Sequence, residues 1–113
     1  MRPDDRPGYD RSWATMRESR GPIARKLARQ ALVTCSPFFS RPQAELVVLD
    51  VGCGYGHMAL AFAEQCGSVV GIEPSRTLAG HAQEIAARSE HRNLQVRQHG
   101  VEELSERLTS PAP

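Results

Sequence analysis

Residues 47–56, VVLDVGCGYG, decide the fold class of this chain. A short aliphatic run ends at Asp50, and three glycines follow at alternate positions. A continuous apolar run without polar alternation is typical of a parallel strand that is covered on both faces. Glycines permit a left-handed backbone and remove side chains that would keep a ligand away from it. The stretch therefore predicts a buried strand followed by a ligand-binding turn.

The residues after this turn continue the same kind of pattern. A helix is predicted to begin near His57, a strand to cover 68–72, a second helix to follow its N-cap at Ser75, and a third strand to cover 94–98. Strands that alternate with helices predict half of a doubly wound sheet, and right-handed crossovers give the strand order 3-2-1. We therefore expect an α/β, Rossmann-like, three-layer α/β/α fold with a partial parallel sheet.

The segment before the first strand predicts helices. We expect one helix over about 12–20, an interruption at Gly21-Pro22, and a second helix to about Val33. The second helix would bury a stripe formed by Ile23, Leu27 and Ala31. The expected organisation is a tail with N-terminal helices over 1–45, a Rossmann-like half-domain over 46–108 and a tail over 109–113.

The ligand is indicated by the residues that end the first two strands. Ligands of open α/β sheets bind beyond the carboxyl ends of the strands. Glu73 ends the second strand, 21 residues after Gly52, where a carboxylate can accept hydrogen bonds from both ribose hydroxyls. A dinucleotide fingerprint would place its third glycine at position 57, which is His57, and Asp50 suits an ammonium group better than a pyrophosphate. Half of a dinucleotide-binding oxidoreductase is the disfavoured alternative.

Three segments resemble the class I S-adenosylmethionine-dependent methyltransferases. Residues 50–56, DVGCGYG, resemble the first motif of that family, and 71–75, GIEPS, resemble its acidic second motif. Residues 99–104, HGVEEL, resemble the segment after the third strand. The resemblance covers about 46–104 and implies S-adenosylmethionine as the cofactor and a small-molecule methyl acceptor.

The resemblance also implies roles for single residues. The turn backbone would cradle the methionine part of the cofactor, with help from Asp50, while Glu73 would bind the ribose, and Ile72 and Pro74 would lie against the adenine. The backbone N–H of Val101 would meet the adenine edge, whereas Gly100 departs from the common pattern, in which an acid or amide contacts the adenine amino group. The implied cofactor-binding residues are Asp50, Gly52, Cys53, Gly54, Glu73, Pro74 and Val101.

No catalytic residue and no metal site are predicted. Cys53 has no assigned histidine to activate it, so we do not expect a nucleophile. Tyr55 and His57 are candidates for substrate contact, and Trp13 with Arg17 could form part of a cofactor lid, although Trp13 packed on the sheet is the simpler expectation. The three cysteines and four histidines lack metal-ligand spacing.

Composition excludes some classes of partner. The net charge of +1 gives no reason to expect binding to nucleic acid or to a membrane surface. No apolar run approaches a membrane span, and the N-terminus lacks the apolar core of a signal peptide. Unpaired cysteines agree with a reducing compartment, so we expect a cytoplasmic protein.

The three strands are fewer than the seven of the complete methyltransferase fold. A fourth strand would begin beyond Pro113, so we expect the substrate-recognition half to be absent and the chain to be a fragment or a truncated, non-catalytic cofactor-binding module. The first strand would then be an exposed apolar edge, which predicts self-association.

Overall fold

A computed structural model of the chain describes the backbone of residues 9–103 and the side chains of residues 19–103. The predictions for Trp13, Arg17 and the C-terminal tail fall outside the described side chains. Two 3-10 turns, Ser36–Phe38 and Gln43–Glu45, separate the first helix from the first strand. The helices and strands, in chain order, are α1 (Tyr9–Cys35), β1 (Val47–Val51), α2 (His57–Ala63), β2 (Ser68–Ile72), α3 (Arg76–Arg88) and β3 (Leu94–Arg97).

The three strands form one parallel sheet in the order β1-β2-β3. In the register of the sheet, Leu49 lies beside Val70, and Val70 beside Gln95. The predicted α/β class, parallel pairing and strand order are thus confirmed. The carboxyl ends of all three strands lie at one edge of the sheet, as parallel pairing requires.

One face of the sheet is covered by helices. Val48, Val69 and Val96 pack on that face against apolar residues that include Ala59 of α2 and Ala82 of α3. On the opposite face of β1, Val47, Leu49 and Val51 are 74%, 46% and 54% exposed. The described residues therefore supply the sheet and one of the two helical layers of a three-layer fold.

Helix α1 runs without interruption through Pro22, so the predicted break at Gly21-Pro22 is wrong. A proline inside a helix removes one backbone hydrogen bond and crowds the preceding turn, but it leaves the rest of the ladder intact. Gly21 lacks the Cβ with which a proline ring clashes in the helical conformation. The observed end of α1 at Cys35 lies two residues beyond the predicted end near Val33.

The buried stripe of α1 is shifted from the predicted one. Ala24, Ala28 and Leu32 are buried, whereas Ile23 and Leu27 are largely exposed. Ala24 and Ala28 form a cluster with Ala61 of α2, and Met58 and Phe62 of the same helix pack against it. Small side chains face α2 because they let two helices approach closely, so residue volume decided the contact face against the periodicity of the larger aliphatic residues.

Polar contacts fix the ends of the other helices. The side chain of Ser75 accepts a hydrogen bond from the Leu78 N–H at 3.2 Å, which confirms it as the N-cap of α3. The amide nitrogen of Asn93 donates to the carbonyls of Ala63, Cys66 and Gly67 at 2.8, 3.1 and 3.2 Å, beyond the C-terminus of α2. Asn93 thereby ties the chain entering β3 to the chain entering β2.

Within the described ranges, no helix combines the length and the apolar character needed to cross a membrane.

Candidate functional site

Three loops meet at the carboxyl ends of the strands. The first is the glycine turn, residues 52–56, which follows β1. The second is the segment 73–75 between β2 and α3, and the third is the segment 98–100 after β3. All the predicted cofactor-binding residues lie in or beside these loops, so the fold brings together residues that are distant in sequence.

The glycine turn has a left-handed backbone at three positions. Gly52, Gly54 and Gly56 have φ values of 72°, 56° and 91°, and no non-glycine residue described has a positive φ. A Cβ atom added to Gly52 or Gly54 would meet no atom within 4 Å. These two glycines therefore border open space, which a ligand could enter up to the backbone itself.

Gly56 has a different role from the one that its position suggests. A Cβ atom on Gly56 would lie 3.0 Å from Cβ and 3.2 Å from Cα of Ala82 in α3. A glycine at the start of a helix commonly lets that helix pack close to the preceding strand, whereas the close approach at Gly56 is to the neighbouring helix α3. Gly56 thus sets how closely the start of α2 packs on α3.

The N–H groups of the turn point into the protein. The amides of Gly52 and Cys53 both donate to the carbonyl of Ile72, at 2.9 and 3.0 Å. The amide of Gly54 donates to Oε1 of Glu73 at 3.0 Å. A ligand in the open space beside Gly52 and Gly54 would therefore find these three amide donors already used within the protein.

Glu73 is the most organised polar group of the site. It is 7% exposed, and its Oε2 accepts from the N–H of Ser75 at 2.9 Å while Oε1 accepts from Gly54. A carboxylate has about four lone-pair sites, so two remain for further donors. The paired backbone bonds hold the carboxylate in one orientation between the first and second loops.

Asp50 is the second acid of the site, and it carries an unused acceptor. Its Oδ2 atom is buried and has no hydrogen-bond partner among the described residues. Burial raises the pKa of Asp50 above its ordinary value of 3.8. A buried acceptor without a donor is costly, and a ligand that brings a donor or a positive charge would relieve this cost.

The side chain of Cys53 packs against β2. Its side chain is buried, and a Cβ atom on Gly71 of β2 would lie 3.0 Å from its Sγ atom. Burial, and then the nearby charges of Asp50 and Glu73, raise the pKa of Cys53 to about 11. The group is therefore a thiol at neutral pH, and thiols are poor nucleophiles.

The third loop brings Gly100 beside Pro74, because a Cβ atom on Gly100 would lie 3.9 Å from Cβ of Pro74. Pro74 and Val101 are exposed and lie at this rim. Ile72, which the resemblance places against the adenine, is 1% exposed. Its side chain is part of the core, so Pro74 remains as the apolar surface for a base.

Sequence reasoning missed two features of the site. The ring of Tyr55 lies 5.4 Å from that of His81 in α3, which joins the glycine turn to a helix surface. Gly71 makes room for Cys53, and a glycine inside an otherwise aliphatic strand is a recognisable signal of such a close approach. No comparable signal marked His81, because its place opposite Tyr55 depends on the packing of α3.

The described residues contain no group of three His, Cys, Asp or Glu side chains that could hold a metal ion.

Comparison with solved structures supports the fold. The chain is similar to the YcgJ protein of Bacillus subtilis, with 26% identity and a TM-score of 0.53 over 75% of this chain and 33% of that one. A protein of Methanococcus maripaludis, described as a putative S-adenosyl-L-methionine-dependent methyltransferase, has 18% identity and a TM-score of 0.64 over 80% of this chain and 40% of that one. Because the identity is low, this match shows the fold alone. Mycolic acid cyclopropane synthase CmaA1, solved with SAH and CTAB, has 37% identity and a TM-score of 0.50 over 53% of this chain and 22% of that one.

The chain thus spans 22% to 40% of the lengths of these three proteins. The comparison with curated proteins finds no match. A family model described as "Methyltransferase domain" matches residues 48–110, which is more than half of the chain and includes all three loops of the site. The chain therefore belongs to the methyltransferase-domain family, as its glycine turn and second acidic motif predicted.

Proposed function

We propose that this chain is the S-adenosylmethionine-binding part of a methyltransferase, and that the complete protein transfers the methyl group to a small molecule. S-adenosylmethionine is the cofactor of the family to which the chain belongs. The observation that carries the proposal is the pairing of an open, left-handed glycine turn with the buried carboxylate of Glu73, bonded to Gly54.

The site residues fit the cofactor group by group. The two free lone-pair sites of Glu73 can accept from the ribose hydroxyls, and its bonds to Gly54 and Ser75 hold it ready for them. The unpartnered Oδ2 of Asp50 suits the ammonium group of the methionine part. Pro74 offers an exposed apolar surface to the base. The sulfonium of the cofactor supplies an electrophilic methyl group, and the protein contributes its position.

We propose the division of the chain into 1–45, 46–108 and 109–113 on the same basis. The glycine turn, Glu73 and the third loop all lie within 46–108, and the matched residues 48–110 cover nearly the same span. The N-terminal part adds α1, in which Arg25 forms an ion pair of 2.9 Å with Glu64, the residue that follows α2. The cofactor site is thus proposed for the second segment alone.

A non-catalytic module that binds S-adenosylmethionine is the second candidate. It would use the same glycine turn and the same Glu73 carboxylate, and it differs from the first candidate in turnover alone. The near-neutral net charge of +1 supports a small-molecule acceptor over a nucleic acid. A methyl-transfer assay on the chain with candidate acceptors separates the methyltransferase from the non-catalytic module, since the module would bind the cofactor without turnover.

We further propose that the exposed edge of β1 lets the chain self-associate. Val47, Leu49 and Val51 expose apolar side chains on this strand, and strands at the edge of a sheet leave backbone groups unpaired. We propose a cytoplasmic location as well, supported by three cysteines that form no disulfide, of which Cys35 is exposed.

Calorimetric titration tests the cofactor proposal. Wild-type chain should bind S-adenosylmethionine and S-adenosylhomocysteine and should not bind NAD. Glu73→Gln should weaken binding by about tenfold or more, because an amide replaces one of the two charged acceptors. Glu90→Gln changes an exposed acid outside the three loops and serves as the matched control. Tighter binding of NAD than of S-adenosylhomocysteine would overturn the proposal.

A further inference from the structure

Helix α1 presents aliphatic side chains to solvent on the side that faces away from α2. Ile23, Leu27 and Val33 are 62%, 48% and 68% exposed. The sequence predicted that Ile23 and Leu27 would be buried, but smaller side chains of α1 form the contact with α2 instead. The aliphatic residues of this outer face are therefore not used by the core.

Basic side chains lie among these aliphatic residues. Residues 19–35 contain four Lys or Arg and no Asp or Glu. Arg20, Lys26 and Arg29 are exposed, and each lies three or four positions from an exposed aliphatic residue of α1, which makes the two neighbours on the helix surface. Among the described side chains, Arg25 is the one of the four that pairs with an acid. The outer face of α1 is thus both apolar and basic.

The basic character belongs to the first part of the chain and not to the whole. Up to Glu45, nine Lys or Arg residues stand against five Asp or Glu, whereas from Leu46 onward five stand against eight. The net charge of +1, which gave no reason to expect binding to a membrane surface, is therefore the sum of a basic part and an acidic part. The distribution of the charge, rather than its sum, describes the surface of α1.

A helix surface that combines basic and aliphatic residues fits the interface of an anionic lipid bilayer. Aliphatic side chains enter the headgroup region, while the long stems of lysine and arginine let their charged ends reach the phosphates. An open depression of about 380 Å³ on α1 is lined by Arg29, Gln30, Val33 and Thr34. It brings a guanidinium group and an aliphatic side chain to one place, as an anionic amphiphile requires.

We infer that the outer face of α1 docks on an anionic lipid bilayer. Its basic side chains meet lipid phosphates, and its aliphatic side chains enter the headgroup region. The docking residues are Arg20, Ile23, Lys26, Leu27, Arg29 and Val33. None of them lies in the three loops at the carboxyl ends of the strands, so this inference does not depend on the proposed cofactor.

Sedimentation with vesicles tests the inference on the full chain without cofactor. One set of vesicles is phosphatidylcholine alone, and the other contains phosphatidylcholine and phosphatidylglycerol in equal amounts. The chain should bind the anionic vesicles at least about tenfold more tightly, because each basic residue near such a surface contributes about fivefold. Added salt should reduce the difference, since it screens exposed charges. A sample without vesicles corrects for self-association.

Two double variants with the same change in charge assign the binding to α1. Lys26→Gln combined with Arg29→Gln should weaken binding to the anionic vesicles by about fivefold for each charge removed. Arg76→Gln combined with Arg92→Gln is the matched control, because it removes two exposed basic residues that lie outside α1. The control should bind the anionic vesicles as the wild type does.

A third double variant tests the aliphatic part of the surface. Ile23→Ser combined with Leu27→Ser should weaken binding to the anionic vesicles by about tenfold or more, because these side chains no longer gain from leaving water. Both residues are exposed, so the fold should tolerate the change. Circular dichroism confirms that each variant is folded.

Three outcomes would overturn the inference. The first is that the wild type binds neither kind of vesicle or binds both equally well. The second is that the variant without Lys26 and Arg29 binds anionic vesicles as tightly as the wild type does. The third is that the chain ignores vesicles but binds polyglutamate through these two residues, which would assign the surface to an acidic protein. Calorimetric titration with S-adenosylhomocysteine tests the cofactor separately, so that either proposal can fail alone.

Discussion

Replacement of Gly56 by alanine should destabilise the fold, because the added Cβ atom is unfavourable for the backbone conformation and also collides with α3. The φ of 91° at Gly56 is unfavourable for a residue with a Cβ, at a cost of about 1–3 kcal/mol. The new Cβ would also lie 3.0 Å from Cβ of Ala82, and overpacking of this kind costs about 1–3 kcal/mol. Together these two costs predict a loss of about 2–6 kcal/mol in the free energy of unfolding.

Gly80 in α3 provides the matched control. A Cβ atom there would meet nothing within 4 Å, and Gly80 lies inside a regular helix. Gly80→Ala should therefore stabilise the chain by about 0.5–1 kcal/mol. The same chemical change is thus predicted to have opposite signs at two positions.

Urea unfolding followed by circular dichroism measures both variants. Ala82→Gly, added to Gly56→Ala, removes the Cβ contact and should recover about 1 kcal/mol or more beyond the sum of the two single effects. If Gly56→Ala unfolds at the wild-type urea concentration, or if Ala82→Gly gives no coupling, then the account of how α2 packs on α3 is wrong.

Four further predictions follow from individual contacts. Asn93→Ala should lower the free energy of unfolding by about 1–3 kcal/mol in the same urea assay, because the carbonyls bonded to Asn93 lose their donor. In thiol-labelling kinetics, exposed Cys35 should react at neutral pH while native Cys53 reacts only as the pH approaches its pKa of about 11; fast labelling of Cys53 at pH 7 would contradict this. Burial raises the pKa of Asp50, so ionisation of this group costs more in the folded chain than in the unfolded chain. The free energy of unfolding should therefore fall as the pH rises from 3.8 through the pKa of the folded state. Asp50→Asn should remove this fall from a series of urea melts, and it should also weaken cofactor binding. Leu49→Lys should lower the mass measured by light scattering, and an unchanged mass would argue against association through β1.

Sequence patterns predicted the sheet well because β1 and β2 are short, mainly aliphatic runs, each followed by a turn. Residues 68–72 form β2 with the predicted bounds, and Ser75 is the N-cap that its position before a helix implied. Such features depend on local chemistry, so neighbouring residues are sufficient to identify them.

The helix contacts were less accessible to sequence reasoning. The contact face of α1 is formed by Ala24 and Ala28 and not by Ile23 and Leu27, because the partner helix presents a surface that admits small side chains. Pro22 likewise stayed inside a helix that tertiary packing supports. Both outcomes depend on residues more than 30 positions away in the sequence.

The sequence predicted that the glycine turn and Glu73 lie close together, but it did not predict the hydrogen bond between them. Glu73 and the glycine turn lie together as expected, yet their first partners are each other, through the 3.0 Å bond from Gly54 to Glu73. Ile72 was assigned to the base but is buried, because its side chain lies in the core beneath the loops. A pattern of residue types identifies a site without stating which donors are already used.

A ¹⁵N-resolved NMR titration with S-adenosylhomocysteine tests the central claim most directly. We predict shifts confined to the amide signals of the three loops and of the adjoining Val101, above all Gly52, Gly54 and Ser75, with saturation at one ligand per chain. The exposed face of α1 around Lys26 and Gln30 should not shift. An absence of shifts, or shifts centred away from the carboxyl ends of the strands, would contradict the assignment of this site to the cofactor.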